Sequence, residues 1–202
     1  MPSPADVILV ALAAYLLGSI PFSFLVARHY GVDVRTAGSG NVGATNVMRT
    51  AGRIPGVVAF LLDSGKGVLA VLAARAWGQA VAVQAVAAVA AILGHLYPIW
   101  LKGQGGKGVA TGAGTFLLLA PCPTAVALGA FAVTLATVRY VSVASMTGAV
   151  VMAALTLVLG SPRPVAWAAA AVAALIVWRH RGNVRLILKG SENRLGRKPR
   201  ES

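Results

Sequence analysis

Seven apolar runs, near residues 5–27, 54–76, 80–101, 108–121, 123–139, 142–160 and 164–179, make up most of this chain. A helix needs about 17–25 apolar residues to cross a 30 Å hydrocarbon core, so these runs constrain the fold more than any other feature. Composition agrees: 57% of the 202 residues are hydrophobic, 11% are charged and mean hydropathy is +0.77, whereas a soluble domain carries about a quarter charged residues. Disorder requires low hydrophobicity and is excluded. Met1-Pro2-Ser3-Pro4 has no basic n-region, and the apolar run after it is longer than the core of a signal peptide, so it reads as the first span.

The distribution of charge predicts the topology. With seven spans and the N-terminus outside, the inside receives Arg28, Arg35, Arg49, Arg53, Lys102, Lys107, Arg139 and the eight basic residues from Arg179 to Arg200, which is 15 of the 18 Lys and Arg. Arg75 and Arg163 fall outside and Lys66 lies within a span. The fourth and fifth runs are short and invite fusion, but one span there would send the basic tail outside, against the positive-inside rule. The expectation is an all-α integral membrane protein of about seven transmembrane helices, C-terminus cytoplasmic, forming one domain over residues 1–202. Its polar cytoplasmic tail, 189–202, is expected to fray. Gly78-Gln79, Pro121-Cys122-Pro123 and Gly160 to Pro164 read as short turns between antiparallel neighbours. The Ala- and Gly-rich spans predict close helix packing.

The net charge of +13 is not a nucleic-acid patch, since Lys and Arg lie between apolar runs without interleaved aromatics. Five dispersed carboxylates, Asp6, Asp33, Asp63, Glu192 and Glu201, do not suit a metal centre or a paired-carboxylate hydrolase, and Cys122 alone makes no disulfide. No metal and no cofactor are expected.

Three polar segments fall on the inner side. The first runs from Thr36 to Asn46, followed by Arg49. Gly38, Gly40 and Gly43 free the backbone to aim N–H groups at an anion, with Ser39, Asn41, Thr45 and Asn46 as further donors and Arg49 as a phosphate fork. A flexible linker seldom carries two Asn, a Thr and an Arg at helical spacings. The second, Lys102 to Thr111, surrounds Lys107 with Gly105, Gly106 and Gly108 at the start of an apolar helix, whose unpaired N–H groups favour phosphate. It lacks the Walker A spacing, and an interfacial glycine connection is an equal reading. The third ends the last span: Trp178 and the arginines are ordinary interfacial anchors, but His180 and Asn183 share a face if the helix continues. Asp63 and Lys66, at i, i+3 within a span, read as a mutually compensating pair, His95 as a structural histidine, and Ser142 and Ser145 as donors or caps.

Taken together, the residues resemble the bacterial membrane glycerol-3-phosphate acyltransferases that use acyl phosphate (PlsY type). The matching text is Gly18-Ser-Ile-Pro-Phe22, GSGNVGATNVMRTAG at 38–52, LDSGKG at 62–67, GHLYPIW at 94–100 and KGQGGKGVAT at 102–111, then His180, Asn183, Arg185-Leu186 and Gly190-Ser-Glu192. Gln104 and Val184 depart from the family's usual residues without removing a donor. The resemblance implies seven spans with the N-terminus outside, and attack of the 1-hydroxyl of sn-glycerol 3-phosphate on an acyl phosphate, releasing phosphate and 1-acylglycerol 3-phosphate. It implies catalytic roles for Ser39, Arg49, His180 and Asn183, glycerol 3-phosphate binding around Lys107, and a structural role for Glu192. The expected substrate-binding set is Gly38, Gly40, Asn41, Thr45, Asn46, Lys102, Gly105, Gly106, Lys107, Gly108, Thr111 and Ser142. Expected partners are both substrates, the lipid bilayer and a soluble enzyme that makes acyl phosphate, with no nucleic acid. The rival reading is a transporter of phosphate or another anion, which wants a polar path through both leaflets and often repeated halves. This chain is polar on one side and its halves do not match.

Overall fold

The computed structural model describes residues 2–196 as helices joined by loops. They are α1 (Pro4–Ser19), α2 (Phe22–His29), α3 (Ala44–Thr50), α4 (Arg53–Ala76), α5 (Val81–Leu96), α6 (Val109–Leu119), α7 (Pro121–Val138), α8 (Val141–Val158), α9 (Arg163–Arg179) and α10 (Arg181–Leu188). The chain divides into two compact units, Met1–Pro121 and Cys122–Ser202.

In the first unit a capping box starts α1: Asp6 N–H donates to Ser3 Oγ at 3.1 Å and Ser3 N–H donates to Asp6 Oδ2 at 3.2 Å. The expected first span is interrupted. Pro21 lacks an N–H and clashes with a continuing helix, so α1 ends at Ser19 and α2 begins at Phe22. α4 is the hub, touching α1, α2, α3, α5 and α6, while α1 lies along α5. Small residues bring these helices together, as their abundance predicts. At Gly18 a Cβ would strike the Ala91 carbonyl, at Gly94 the Tyr15 carbonyl, and at Gly114 the Ser64 carbonyl. Tyr15 Oη also donates to the Tyr97 carbonyl at 2.7 Å.

In the second unit α8 packs on α9, which buries Val165, Ala169, Val172 and Ile176 along one stripe. α10 closes on its own C-terminus, with Ser191 N–H donating to Leu186 O at 2.9 Å. The tail is held further along: Leu195 N–H donates to Arg139 O at 2.8 Å and the Arg194 guanidinium lies 4.8 Å from the Tyr140 ring. The expected fraying therefore does not begin at residue 189. Arg197, Lys198 and Arg200 lie outside the described residues.

Among the described residues, five helical stretches are long and apolar enough to cross a membrane: Pro4–His29 taken across its break, Arg53–Ala76, Val81–Leu101, Pro121–Val138 and Val141–Val158. α9 has 17 residues and α6 has 11. At 1.5 Å per residue α6 reaches about half of a hydrocarbon core. Large apolar side chains face outward, Leu12, Leu61, Val133 and Trp167 being 56%, 61%, 66% and 75% exposed. Such surfaces belong in lipid.

Candidate functional site

The first polar segment folds as a loop from Tyr30 to Gly43 that leads into α3. Its organiser is Asn46, 2% exposed. Its amide donates to the carbonyls of Val34 (3.0 Å), Ala37 (3.0 Å) and Asn41 (3.1 Å), and its Oδ1 accepts from Ser39 N–H at 2.9 Å. Gly38 adopts a φ of 61°, and a Cβ there would collide with Asn46 Oδ1. Asn46, expected among the substrate donors, is thus committed to the loop itself. The anticipated nest is likewise closed, because Ser39 N–H meets Asn46, Gly40 N–H meets Ala37 O at 3.1 Å and Gly43 N–H meets Asn41 O at 3.1 Å. A buried amide group must find an acceptor, and here the loop supplies its own. Of the side chains here, Ser39, Thr45 and Arg49 are exposed and Asn41 is half-buried.

A turn within this loop carries its acid. Asp33 accepts from Arg35 Nη2 at 2.6 Å, Nε at 2.9 Å and N–H at 3.0 Å. These hydrogen bonds, with the nearby guanidinium charges, hold its carboxyl at about 2 and raise the guanidinium of Arg35. Arg35 also stacks 4.9 Å from the Phe24 ring.

The glycine segment between α5 and α6 differs from a simple cradle. Gly105 N–H donates to Leu96 O and Gly106 N–H to His95 O, each at 3.1 Å. Both N–H groups, expected to hold phosphate, instead cap α5. The two glycines are buried, and the reason for glycine is space: at Gly105 a Cβ would strike the His95 carbonyl, and at Gly106 the His95 ring. Gly108 caps α6 with a φ of 82°. From there the helix N-terminus offers donors that have no intrahelical acceptor. Lys102 is exposed with a φ of 51°, and Lys107 is half-buried. Thr111, expected to bind substrate, is fully buried and donates to Asp63 O at 2.9 Å, fastening α6 to α4.

The two segments meet. Val42 and Gly106 line one small cavity with Ser19, Asp63, Lys66 and His95. Within it Lys66 Nζ lies 2.8 Å from Asp63 Oδ1, and His95 Nδ1 lies 3.5 Å from the same oxygen. The compensating pair read from the sequence is present; its third member, His95, and the adjoining glycine segment were not foreseen, because they arrive from α5 and the loop after it.

In the second unit the helix does not run straight through His180. α9 ends at Arg179 and α10 begins at Arg181, with His180 between them at φ −92°, ψ 2°. His180 is buried and its Nδ1 lies 2.7 Å from Ile176 O. A carbonyl only accepts, so Nδ1 carries a proton in this contact. Asn183 Nδ2 donates to Glu192 Oε1 at 2.8 Å, so Glu192 orients Asn183. Ser142 Oγ is buried near the start of α8 and has no hydrogen-bond partner among the described residues.

A family model described as glycerol-3-phosphate acyltransferase matches residues 8–190. Curated relatives of that name include one from Rubrobacter xylanophilus, 47% identical over 94% of this chain and 95% of its own. Another, from Thermus thermophilus, is 49% identical over 92% of this chain and 93% of its own. The fold is similar to the crystal structure of PlsY, an integral membrane glycerol 3-phosphate acyltransferase, in its glycerol 3-phosphate form. The TM-score is 0.89 at 38% identity, covering 94% of this chain and 96% of that one. The lysophosphatidic acid form gives a TM-score of 0.87.

Proposed function

This chain belongs to the glycerol-3-phosphate acyltransferase family, and we propose that it transfers a fatty acyl group from acyl phosphate to the 1-hydroxyl of sn-glycerol 3-phosphate. The products are 1-acylglycerol 3-phosphate and inorganic phosphate. The observation that carries this reading is the likeness, over 94% of the chain, to an integral membrane acyltransferase crystallised in its glycerol 3-phosphate form. The cations of the polar segments and the scarcity of carboxylates support the donor. An acyl phosphate is already activated, so the protein has to bring two anions together, orient the hydroxyl and stabilise a developing oxyanion.

In the proposed mechanism Arg49 and Lys107, aided by Lys102, offset the repulsion between the two phosphates. Ser39 and the exposed Thr45, with Asn41, hold polar groups of the reactants, and the N-terminus of α6 from Gly108 receives a phosphate. Gly38, Gly40, Asn46, Gly105, Gly106 and Thr111 shape the two segments. Ser142, with an unused buried hydroxyl, is proposed to donate to substrate. Asn183, held by Glu192, and His180 are proposed as catalytic. The hydroxyl oxygen forms a bond to the acyl carbon, the carbon–oxygen bond to phosphate breaks, and its electron pair leaves with phosphate. The displaced proton goes to His180 Nε2 or to a phosphate oxygen, and the pH–rate profile of His180→Gln separates the two.

We further propose that α6 and α9 complete seven spans, with the N-terminus outside and the polar segments at the cytoplasmic face of the inner membrane. There they would meet a soluble enzyme delivering acyl phosphate. Phosphate release by purified protein tests the donor, with acyl phosphate, acyl-CoA and acyl carrier protein compared. Activity with acyl phosphate alone is expected; equal activity with either thioester would overturn the donor assignment. Ser39→Ala and Arg49→Ala are each expected to lower kcat about a hundredfold or more.

A further inference from the structure

Asp63, 1% exposed in the middle of α4, is tied to more of its surroundings than an ion pair requires. Besides Lys66, its carboxylate accepts from Ser23 Oγ of α2 at 2.5 Å and faces His95 Nδ1 of α5 at 3.5 Å. Its main-chain carbonyl accepts from Thr111 of α6. Lys66, 2% exposed, donates at 2.8 Å to Ile20 O, the carbonyl released where Pro21 breaks the helix. Residues from three helices and the α1–α2 break thus converge on one carboxylate and its counter-ion, and α6 is fastened to the main chain of the same residue.

His95 carries this cluster to the glycine segment. Its carbonyl accepts from Gly106 N–H, and its Nε2 edge lies against Gly106 so closely that a side chain there would collide with the ring. The same Cβ would stand 2.8 Å from the Val42 carbonyl of the first polar loop. Gly106 therefore sits where the His95 ring and that loop converge, and the ring's Nδ1 faces Asp63 on α4 at 3.5 Å. A compensating pair alone would explain Asp63 and Lys66. It would leave His95 and its contact with the glycine segment without a reason.

From this geometry we infer that Asp63, acting through His95, sets the position of the glycine segment 102–108, which makes Asp63, Lys66 and His95 positioning residues for the phosphate of glycerol 3-phosphate. The inference rests on the proposed reading of the Lys107 segment as the binding place for that phosphate. Low-dielectric ion clusters hold their geometry because a displaced partner leaves an uncompensated charge, and misplacement of a binding group by about 1 Å costs up to a hundredfold in rate.

The test is steady-state kinetics on the full-length protein in detergent, with glycerol 3-phosphate and the acyl donor varied separately and melting temperature recorded. His95→Leu removes the ring's polar link. Ser23→Ala removes one donor to Asp63 while leaving every group that touches the glycine segment, so it carries the test if His95→Leu does not fold. His95→Leu is expected to raise KM for glycerol 3-phosphate about tenfold and Ser23→Ala about threefold, with kcat and the donor KM changed less than about twofold. Unchanged KM for glycerol 3-phosphate in a folded variant, whatever its melting temperature, overturns the inference. Lys107→Ala separates the two levels. If it too leaves that KM unchanged, the phosphate reading of the segment fails; if it raises KM while the other variants do not, the positioning role alone fails.

Discussion

Asn46 shows how a residue that looks like a ligand can serve its neighbours instead. Its amide closes the loop through four hydrogen bonds. Asn46→Ala should lower stability by about 1–3 kcal/mol, the cost of leaving buried partners unsatisfied, and should lower activity as the loop loosens; denaturation and turnover measured together check this. Glu192 is a second case. Glu192→Gln keeps an acceptor for Asn183 and should retain most activity, whereas Glu192→Ala should lose it; comparable losses in both would refute an orienting role. Asp33 gives a pH prediction. Its carboxyl is held at about 2 against an ordinary 3.8, so the stability from its pairing with Arg35 is full above the ordinary value and is lost as pH falls through about 2. Carbon-detected titration should find that depressed midpoint, and Arg35→Ala should return it toward 3.8. Residue types and spacing suggested candidate donors in these segments. Which donors are committed internally depends on backbone carbonyls, which a sequence does not display.

Among the elements, the apolar runs matched the helices to within a few residues because lipid-facing helices are specified by length and hydropathy. Two features escaped that reading. Pro21 stood in plain view inside the first run, yet a proline in a span can kink a helix or end it, and only packing against α4 decides. The turn at His180 carries no Pro or Gly signal at that position. Helix approach was legible from small residues, and it predicts where bulk fails. Gly94→Val would drive a side chain into the Tyr15 carbonyl and should cost about 1–3 kcal/mol, seen as a lower melting temperature in detergent. Ala at the open Gly65, where a Cβ meets nothing within 4 Å, should be neutral or slightly stabilising.

For the whole molecule, the outward apolar side chains require lipid or detergent around each unit, and the distribution of basic residues supports the proposed topology. With Cys122 replaced by Ala, Gln79→Cys should react with a membrane-impermeant thiol reagent on intact cells and Gln104→Cys only after permeabilisation; the reverse pattern would invert the proposed topology. The catalytic assignments draw on motifs far apart in the chain, and their order was legible while the Asp63 cluster beneath one of them was not. That cluster bears on how the protein is made. Ile20 and the lysine that quiets its carbonyl are 46 residues apart, so the ribosome completes the broken hairpin-like entry well before its counterpart exists. That carbonyl keeps a local donor, Phe22 N–H at 3.0 Å, so the break is tolerated in hydrocarbon while α4 is still unmade, and the ammonium adds the tie that fastens the entry once the fourth helix arrives.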